Sequence, residues 1–218
     1  MGSRERAFVR HHTTVRPVPG LEEVRLHLAD EVLPLWHALA VETGDPDTPL
    51  PYWAFAWVGG LAIGRYLRDD PGVVAGLRVL DLASGSGLCA VRAAMAGAAE
   101  VTAVDIDPYS AAAIALNARA NRCSIAVLTR DILDKEPPPC DVVLAGDAWY
   151  EAGLAARVTP WLRAAQRRGS RVLVGDAGRR YLPLEALEEL ASYEVRTTTE
   201  LEDLALKRGH VFALVDRG

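Results

Sequence analysis

Short apolar runs alternate with longer helix-forming stretches through most of this chain. The runs are RVLDL at 78–82, VTAVD at 101–105, residues 125–128, DVVLA at 141–145 and RVLVG at 171–175. They are continuous in Val and Leu, which predicts strands buried on both faces. Helical patterns at 87–96, 108–121, 152–167 and 183–191 fill the intervals. Such strand–helix alternation predicts an α/β fold with a doubly wound, mostly parallel sheet. Two more strands, at 193–199 and 210–215, follow with no helix between them. They are expected to pair antiparallel at the sheet's C-terminal edge, for seven strands in all.

Ahead of this region the pattern is irregular. Val15, Val18, Leu21, Val24, Leu26 and Leu28 suggest short strands around Pro17 and Pro19, and 29–40 suggests a helix with Leu33, Trp36 and Leu39 on one side. Gly44-Asp45-Pro46-Asp47-Thr48-Pro49 signals a loop. A further helix is expected at 57–68, closing near Asp70-Pro71-Gly72. Residues 1–50 are read as an N-terminal extension packing on a domain at 51–218.

Composition narrows the function classes. Half of the 218 residues are hydrophobic and 24% are charged, enough for a core and unlike a disordered chain. A net charge of −5 weighs against nucleic acid as partner, although Arg157, Arg163, Arg167, Arg168, Arg171, Arg179 and Arg180 lie close in sequence. The three cysteines are scattered without a CxxC, which argues against zinc and against a disulfide framework. No apolar run approaches the roughly 20 residues of a membrane span. The expectation is a cytoplasmic protein with no metal and no membrane partner, and a monomer is favoured.

The chemistry-bearing residues all fall at strand carboxyl ends, where open α/β sheets bind ligands. The first strand feeds Ala83-Ser84-Gly85-Ser86-Gly87, a turn that lets the backbone approach a ligand closely. Asp81 lies inside that strand, where a carboxylate is expensive without a partner. Ala90 stands at the third glycine of the dinucleotide pattern. Asp105, 24 residues beyond Asp81, is placed for both hydroxyls of an unphosphorylated ribose, beside Ile106. Asp107 before Pro108 reads as a helix N-cap. After the third strand, Asp131 suits an adenine amine and Ile132 its ring face, although a solvated loop aspartate is equally compatible. Taken alone, the glycine turn is also compatible with a plain strand–helix connection.

In this order, these pieces resemble the class I S-adenosylmethionine-dependent methyltransferases, with their Rossmann-like fold. PYWAFAWVGG (51–60), VLDLASGSG, DIDP, GDAWY and VGDAGR (174–179) are further similar to the lysine methyltransferases of the electron transfer flavoprotein β subunit, often labelled nicotinamide N-methyltransferase-like. The resemblance spans about residues 20–215. It implies S-adenosylmethionine as cofactor, S-adenosylhomocysteine as product and a protein substrate, possibly that β subunit. It maps a D-x-x-Y motif onto Asp147 and Tyr150 as catalytic residues and a cofactor-flanking tryptophan onto Trp57, near Gly60. Trp53, Trp149 and Arg179 are assigned to the substrate side. The family pattern has glutamine after the paired glycines and proline after the fifth-strand aspartate. Leu61 and Ala177 stand there, and are expected to alter a polar contact near the cofactor and to loosen a loop at the substrate mouth.

Methyl transfer from a sulfonium is an in-line displacement, so a protein contributes positioning and electrostatics. A lysine must react as the free amine, and releasing its proton near neutral pH costs ~4 kcal/mol. A carboxylate favours the ammonium, so Asp147 is read as a positioning acceptor, with Tyr150 as a second. Trp53, Trp57 and Trp149 offer faces to a cation, whereas Trp36 and Trp161 are assigned to packing. A methyltransferase for a small amine or a nicotinamide-like molecule is the alternative. A non-catalytic nucleotide-binding module is disfavoured by the Asp147/Tyr150 pair. Hydride transfer is disfavoured by the missing glycine and the absence of a suitable His or Lys.

Overall fold

The computed structural model describes residues 2–196 and 206–215. Five strands, β3 (Arg78–Leu82), β4 (Glu100–Asp105), β5 (Ala126–Thr129), β6 (Val142–Gly146) and β7 (Arg171–Asp176), run parallel in the spatial order β5-β4-β3-β6-β7. The chain reverses direction across the sheet between β3 and β6, which puts a crevice at their carboxyl ends. Helices α4 (Leu88–Met95), α5 (Pro108–Ala120) and α6 (Ala152–Arg167) make the crossovers, within a few residues of the expected bounds. Strand β9 (Leu206–Leu214) pairs antiparallel with β7 and with β8 (Leu187–Arg196), which ends the sheet. The expected strand at 193–199 thus begins earlier, and its residues 197–199 lie outside the described residues.

The segment 183–191 is the main departure. It is rich in Glu, Leu and Ala and was expected to be a helix, but only Leu184–Ala186 forms a helical turn before β8 begins. A register shift between Glu189 and Ala191 breaks the strand's alternation of faces, so the apolar spacing mimics a helix. Pairing with β9 then overrides the local propensity.

The first fifty residues are more ordered than their sequence pattern suggests. Helix α1 (Ser3–His12) was not anticipated; it buries Phe8 and Val9, with the Phe8 ring 5.3 Å from that of Tyr109 on α5. Strands β1 (Thr14–Val18) and β2 (Leu21–Leu28) form a hairpin through Gly20, whose φ of +80° suits glycine. The inward residues Leu21, Val24, Leu26 and Leu28 pack on α4 and on α3 (Val58–Asp69). Asn117 of α5, wholly buried, accepts from the His27 N–H at 2.7 Å and donates to the Ser86 carbonyl at 2.8 Å. Helix α2 (Val32–Thr43) turns Val32, Leu35 and Leu39 inward; Leu33, expected on that face, is 61% exposed.

Helix α3 lies unusually close to the sheet. A Cβ on Gly59 would sit 2.1 Å from the Gly175 carbonyl oxygen, and one on Gly175 would sit 2.2 Å from that of Gly59. Only glycine at both positions permits this approach.

Candidate active site

A cleft of about 690 Å³ opens along the carboxyl ends of β3, β4 and β6. It runs from Ile132 past the glycine turn to Asp147 and Tyr150, and Leu39, Thr43 and Leu50 of the N-terminal segment line its roof.

The floor is the turn after β3. Ala83, Gly85 and Gly87 all take positive φ, at 52°, 53° and 79°. A side chain at Gly85 would be strained by the backbone alone. Asp81 is buried, and its Oδ2 accepts from the Ser84 hydroxyl and, at 3.0 Å, from the Ala90 N–H. Burial pushes its pKa up to about 7, against the pull of those two hydrogen bonds. Asp105 accepts from the Gly85 N–H at 2.8 Å and from the Asp107 N–H at 3.0 Å, which leaves lone pairs on both oxygens for a ligand. Asp107 caps α5 by accepting from the Tyr109 N–H at 2.8 Å. Burial raises Asp105 above the usual carboxylate range and Asp107 to about 6.

At the far wall Ile132 is buried, and Ile106 opposite it is 70% exposed within the cleft. Asp131 lines the same end, but its carboxylate has protein partners: Oδ1 accepts from the Leu133 N–H at 2.9 Å, and Oδ2 pairs with Arg157 at 2.8 Å. Nothing in the sequence linked Arg157 to this place, because it comes from α6.

The other end is built around Asp147, at the end of β6, with φ of 58°. Its N–H donates to the Gly175 carbonyl at 2.8 Å. Oδ2 accepts from the Gly60 N–H at 2.8 Å, and Oδ1 pairs with Arg179. Helix α3 has Trp57 at its N-cap position and no side-chain cap of its own. Asp147 therefore supplies, from another element, the anion that a helix N-terminus attracts. Arg179 also reaches Asp176 at 3.5 Å, and its own N–H donates to Asp176 Oδ1 at 2.6 Å. Asp176, the aspartate of the VGDAGR stretch, to which the sequence assigned no role, is completely buried. Burial raises Asp147 above the usual carboxylate range, while the Arg179 charge draws it back.

Tyr150 stands at the mouth, 43% exposed, its ring 5.0 Å from Tyr52; the Tyr52 ring is in turn 5.6 Å from Trp57. The Trp57 indole donates to the Tyr52 carbonyl at 2.9 Å, and Gly60 lies behind it in the same wall. Burial, with Tyr52 and Glu151 nearby, pushes the Tyr150 hydroxyl to about 12, so it works as a neutral phenol. Tyr52 lies within the PYWAFAWVGG stretch, but the sequence assigned it no role beside Trp53 and Trp57.

Two tryptophans expected to face the substrate do not. Trp53 is fully buried and stacks on Tyr109 with centroids 6.3 Å apart. Trp149 is 1% exposed in the core beside α6, and its indole donates to the Thr159 hydroxyl at 3.1 Å. Residues 147–150 form the turn after β6, which buries Ala148 and Trp149 together and leaves Tyr150 at the mouth. Trp36 and Trp161 serve packing, donating to the carbonyls of Thr48 and Lys135. Leu61 packs in the apolar cluster under β2 rather than beside the cleft, so its departure from the family pattern is a core substitution. Ala177 packs against the same cluster.

Comparison with known proteins places this geometry. The family described as "Ribosomal protein L11 methyltransferase (PrmA)" matches residues 68–146. The electron transfer flavoprotein beta subunit lysine methyltransferase of Xenopus laevis is 35% identical over 216 residues, which is 95% of this chain and 86% of that protein. The chain belongs to that lysine methyltransferase family. The Homo sapiens member is likewise 35% identical, over 95% of this chain and 80% of its own length. Among solved structures, the ribosomal protein L11 methylase of Lactobacillus delbrueckii subsp. bulgaricus superposes with a TM-score of 0.51 at 20% identity, over 71% of this chain and 77% of that one, a likeness of fold.

As a member of the family the protein is an S-adenosylmethionine-dependent methyltransferase, and its cleft fits that cofactor. Asp81, Asp105 and Asp107 are carboxylates raised by burial around one cleft. Among the described residues no ion pair of 4 Å or less reaches any of them. A ligand carrying an ammonium and a sulfonium relieves that charge imbalance. No group of His, Cys, Asp and Glu side chains that could hold a metal occurs among the described residues. Nor does any helix there have the length and apolarity to cross a membrane.

Proposed function

We propose that the protein methylates a lysine of an electron transfer flavoprotein β subunit. The observation that carries the proposal is the end of the cleft at Asp147 and Tyr150. It presents acceptors for an amine but lacks a reactive nucleophile of its own. Among the described residues no lysine or histidine lines the cleft, and burial pushes the Cys89 thiol there well above its ordinary value. The methyl acceptor therefore comes from outside, and the half-exposed Tyr150 gives it an open approach.

In this reading Asp105 holds the ribose hydroxyls, Ile106 and Ile132 enclose the adenine, and Asp131, fixed by Arg157, faces its edge. Ala83, Ser84, Gly85 and Gly87 form the backbone cradle, Asp81 stands behind it, and Trp57 and Gly60 close the side towards the methyl group. The cofactor supplies a methyl on a positively charged sulfur. Asp147 accepts one N–H of the incoming amine and so aims its lone pair, while Tyr150 bounds the other side. Residues 1–50 act as the roof that retains the cofactor.

The test is incubation of the purified protein with labelled S-adenosylmethionine and electron transfer flavoprotein, followed by mass spectrometry of the β subunit. Methylated lysine is expected with the wild type and not with Asp147→Asn, which should still bind S-adenosylhomocysteine by calorimetry. Asparagine tolerates positive φ, so the substitution removes charge without straining the backbone. An unlabelled β subunit, with label only on small amines, would overturn the proposal.

A further inference from the structure

Asp147 has a difficulty as the handler of an amine. A lone carboxylate next to a lysine stabilises the ammonium, the form that cannot attack. The structure gives this carboxylate a cation of its own. Arg179 pairs with Oδ1, is only 20% exposed, and is pinned from behind by the completely buried Asp176. Its backbone N–H on Asp176 fixes the loop that carries it. We propose that Arg179 is a positioning residue for methyl transfer, which balances Asp147 so that this carboxylate orients the target amine without holding it as the ammonium. The inference rests on the lysine-directed reading above and goes beyond it in naming what keeps the amine reactive.

The surroundings leave this task to Arg179. Asp176 from the end of β7 and Cys89 from α4 interact with Asp147 electrostatically, and Tyr52, Tyr150 and Glu151 stand together around the mouth. All of these are neutral or negative near neutral pH, and the amides of Gly59 and Gly60 contribute only partial charge. Among the described residues, the Arg179 guanidinium is the full positive charge that acts on Asp147 and on Tyr52 beside it. It acts on the amine through like-charge repulsion, which favours loss of the ammonium proton to water. The free amine's lone pair then forms the N–C bond as the S–C bond breaks. The bonding pair stays on sulfur, and the product nitrogen carries the positive charge.

The test compares wild type, Arg179→Gln and Arg179→Lys across pH, with kcat and KM for the protein substrate measured separately. Calorimetry with S-adenosylhomocysteine establishes that each variant's cofactor site is intact. For Arg179→Gln, the rising limb of kcat should move about one pH unit or more upward, because the remaining carboxylate now holds the ammonium. Turnover near neutral pH should then fall about tenfold or more, while KM stays level or drops. Arg179→Lys restores a cation and should return the limb to its wild-type position even if the maximum is lower. A uniform loss of kcat with no shift, or an equal shift in both variants, would show that Arg179 merely holds the loop and would overturn the inference. Absence of wild-type transfer to the β subunit would instead count against the substrate assignment. The same three profiles on whichever amine is methylated would then decide the role of Arg179.

Discussion

Gly59 and Gly60 are neighbours in the first turn of α3, and they should respond oppositely to alanine. Helix propensity alone favours both substitutions by up to about 1 kcal/mol. At Gly60 the new Cβ meets nothing nearer than Leu88 Cδ2 at 3.5 Å, an ordinary contact, so Gly60→Ala should keep most of that gain in the ligand-free protein. At Gly59 the Cβ falls 2.1 Å from the Gly175 carbonyl oxygen, which is backbone at the end of a central strand and cannot rotate aside. Reaching a normal carbon–oxygen contact requires the helix to retreat by about 1 Å. The Gly60 N–H, now 2.8 Å from Asp147 Oδ2, would be carried out of bonding range. Overpacking costs about 1–3 kcal/mol, and loss of a hydrogen bond to a charged, buried acceptor costs about 1.5–3 kcal/mol. Set against the propensity gain, Gly59→Ala should destabilise by about 1.5–5 kcal/mol. Urea denaturation of the two variants in parallel measures the difference. Equal stabilities would refute the reasoning, because they would mean that α3 can shift without cost and that its fit on β7 does not fix the amide facing Asp147.

Two further outcomes follow from the same geometry. Asp105→Ala should weaken S-adenosylhomocysteine binding by about a hundredfold, from two lost hydrogen bonds of about 1.5 kcal/mol each, with kcat at saturating cofactor largely retained. Calorimetry checks this, and a change of less than about threefold would remove Asp105 from the ribose site. Asp81 rises on folding from 3.8 to about 7, so between those values the folded protein keeps a proton that the unfolded chain has released. Its contribution to stability therefore falls as pH rises through that window, the opposite of a salt-bridged carboxylate. Denaturation midpoints across the window should show a flatter decline for Asp81→Asn than for wild type. Parallel curves would mean that Asp81 ionises freely in the fold.

The parallel strands and the helices between them were legible because each is a local pattern, a Val/Leu run followed by helical spacing, and its signal does not depend on distant partners. Strand β8 was misread because a bulge scrambled its alternation and only its pairing with β9 makes it a strand. The lining of the cleft was legible where a residue's placement follows from its position at a strand end, as for Asp105, the Asp107 cap and the glycine turn. It was illegible where the role depends on which way a side chain turns: Trp149 and Tyr150 are adjacent, yet one is core and the other lines the mouth. Arg157, Asp176 and the amides that cap Asp147 were beyond sequence reading for a related reason. Each meets its partner only after the sheet brings separate crossovers to one edge.

Asn117 sets a limit on how far this enzyme can be shortened. Its side-chain amide joins the His27 backbone to the Ser86 carbonyl, one from the first hairpin and one from the turn that cradles the cofactor. A fragment starting after residue 50 would leave that acceptor unpaired and uncover the leucines beneath β2, within two residues of the glycines the chemistry relies on. Removal of the hairpin should therefore disturb the cofactor turn through an asparagine in the middle of the chain.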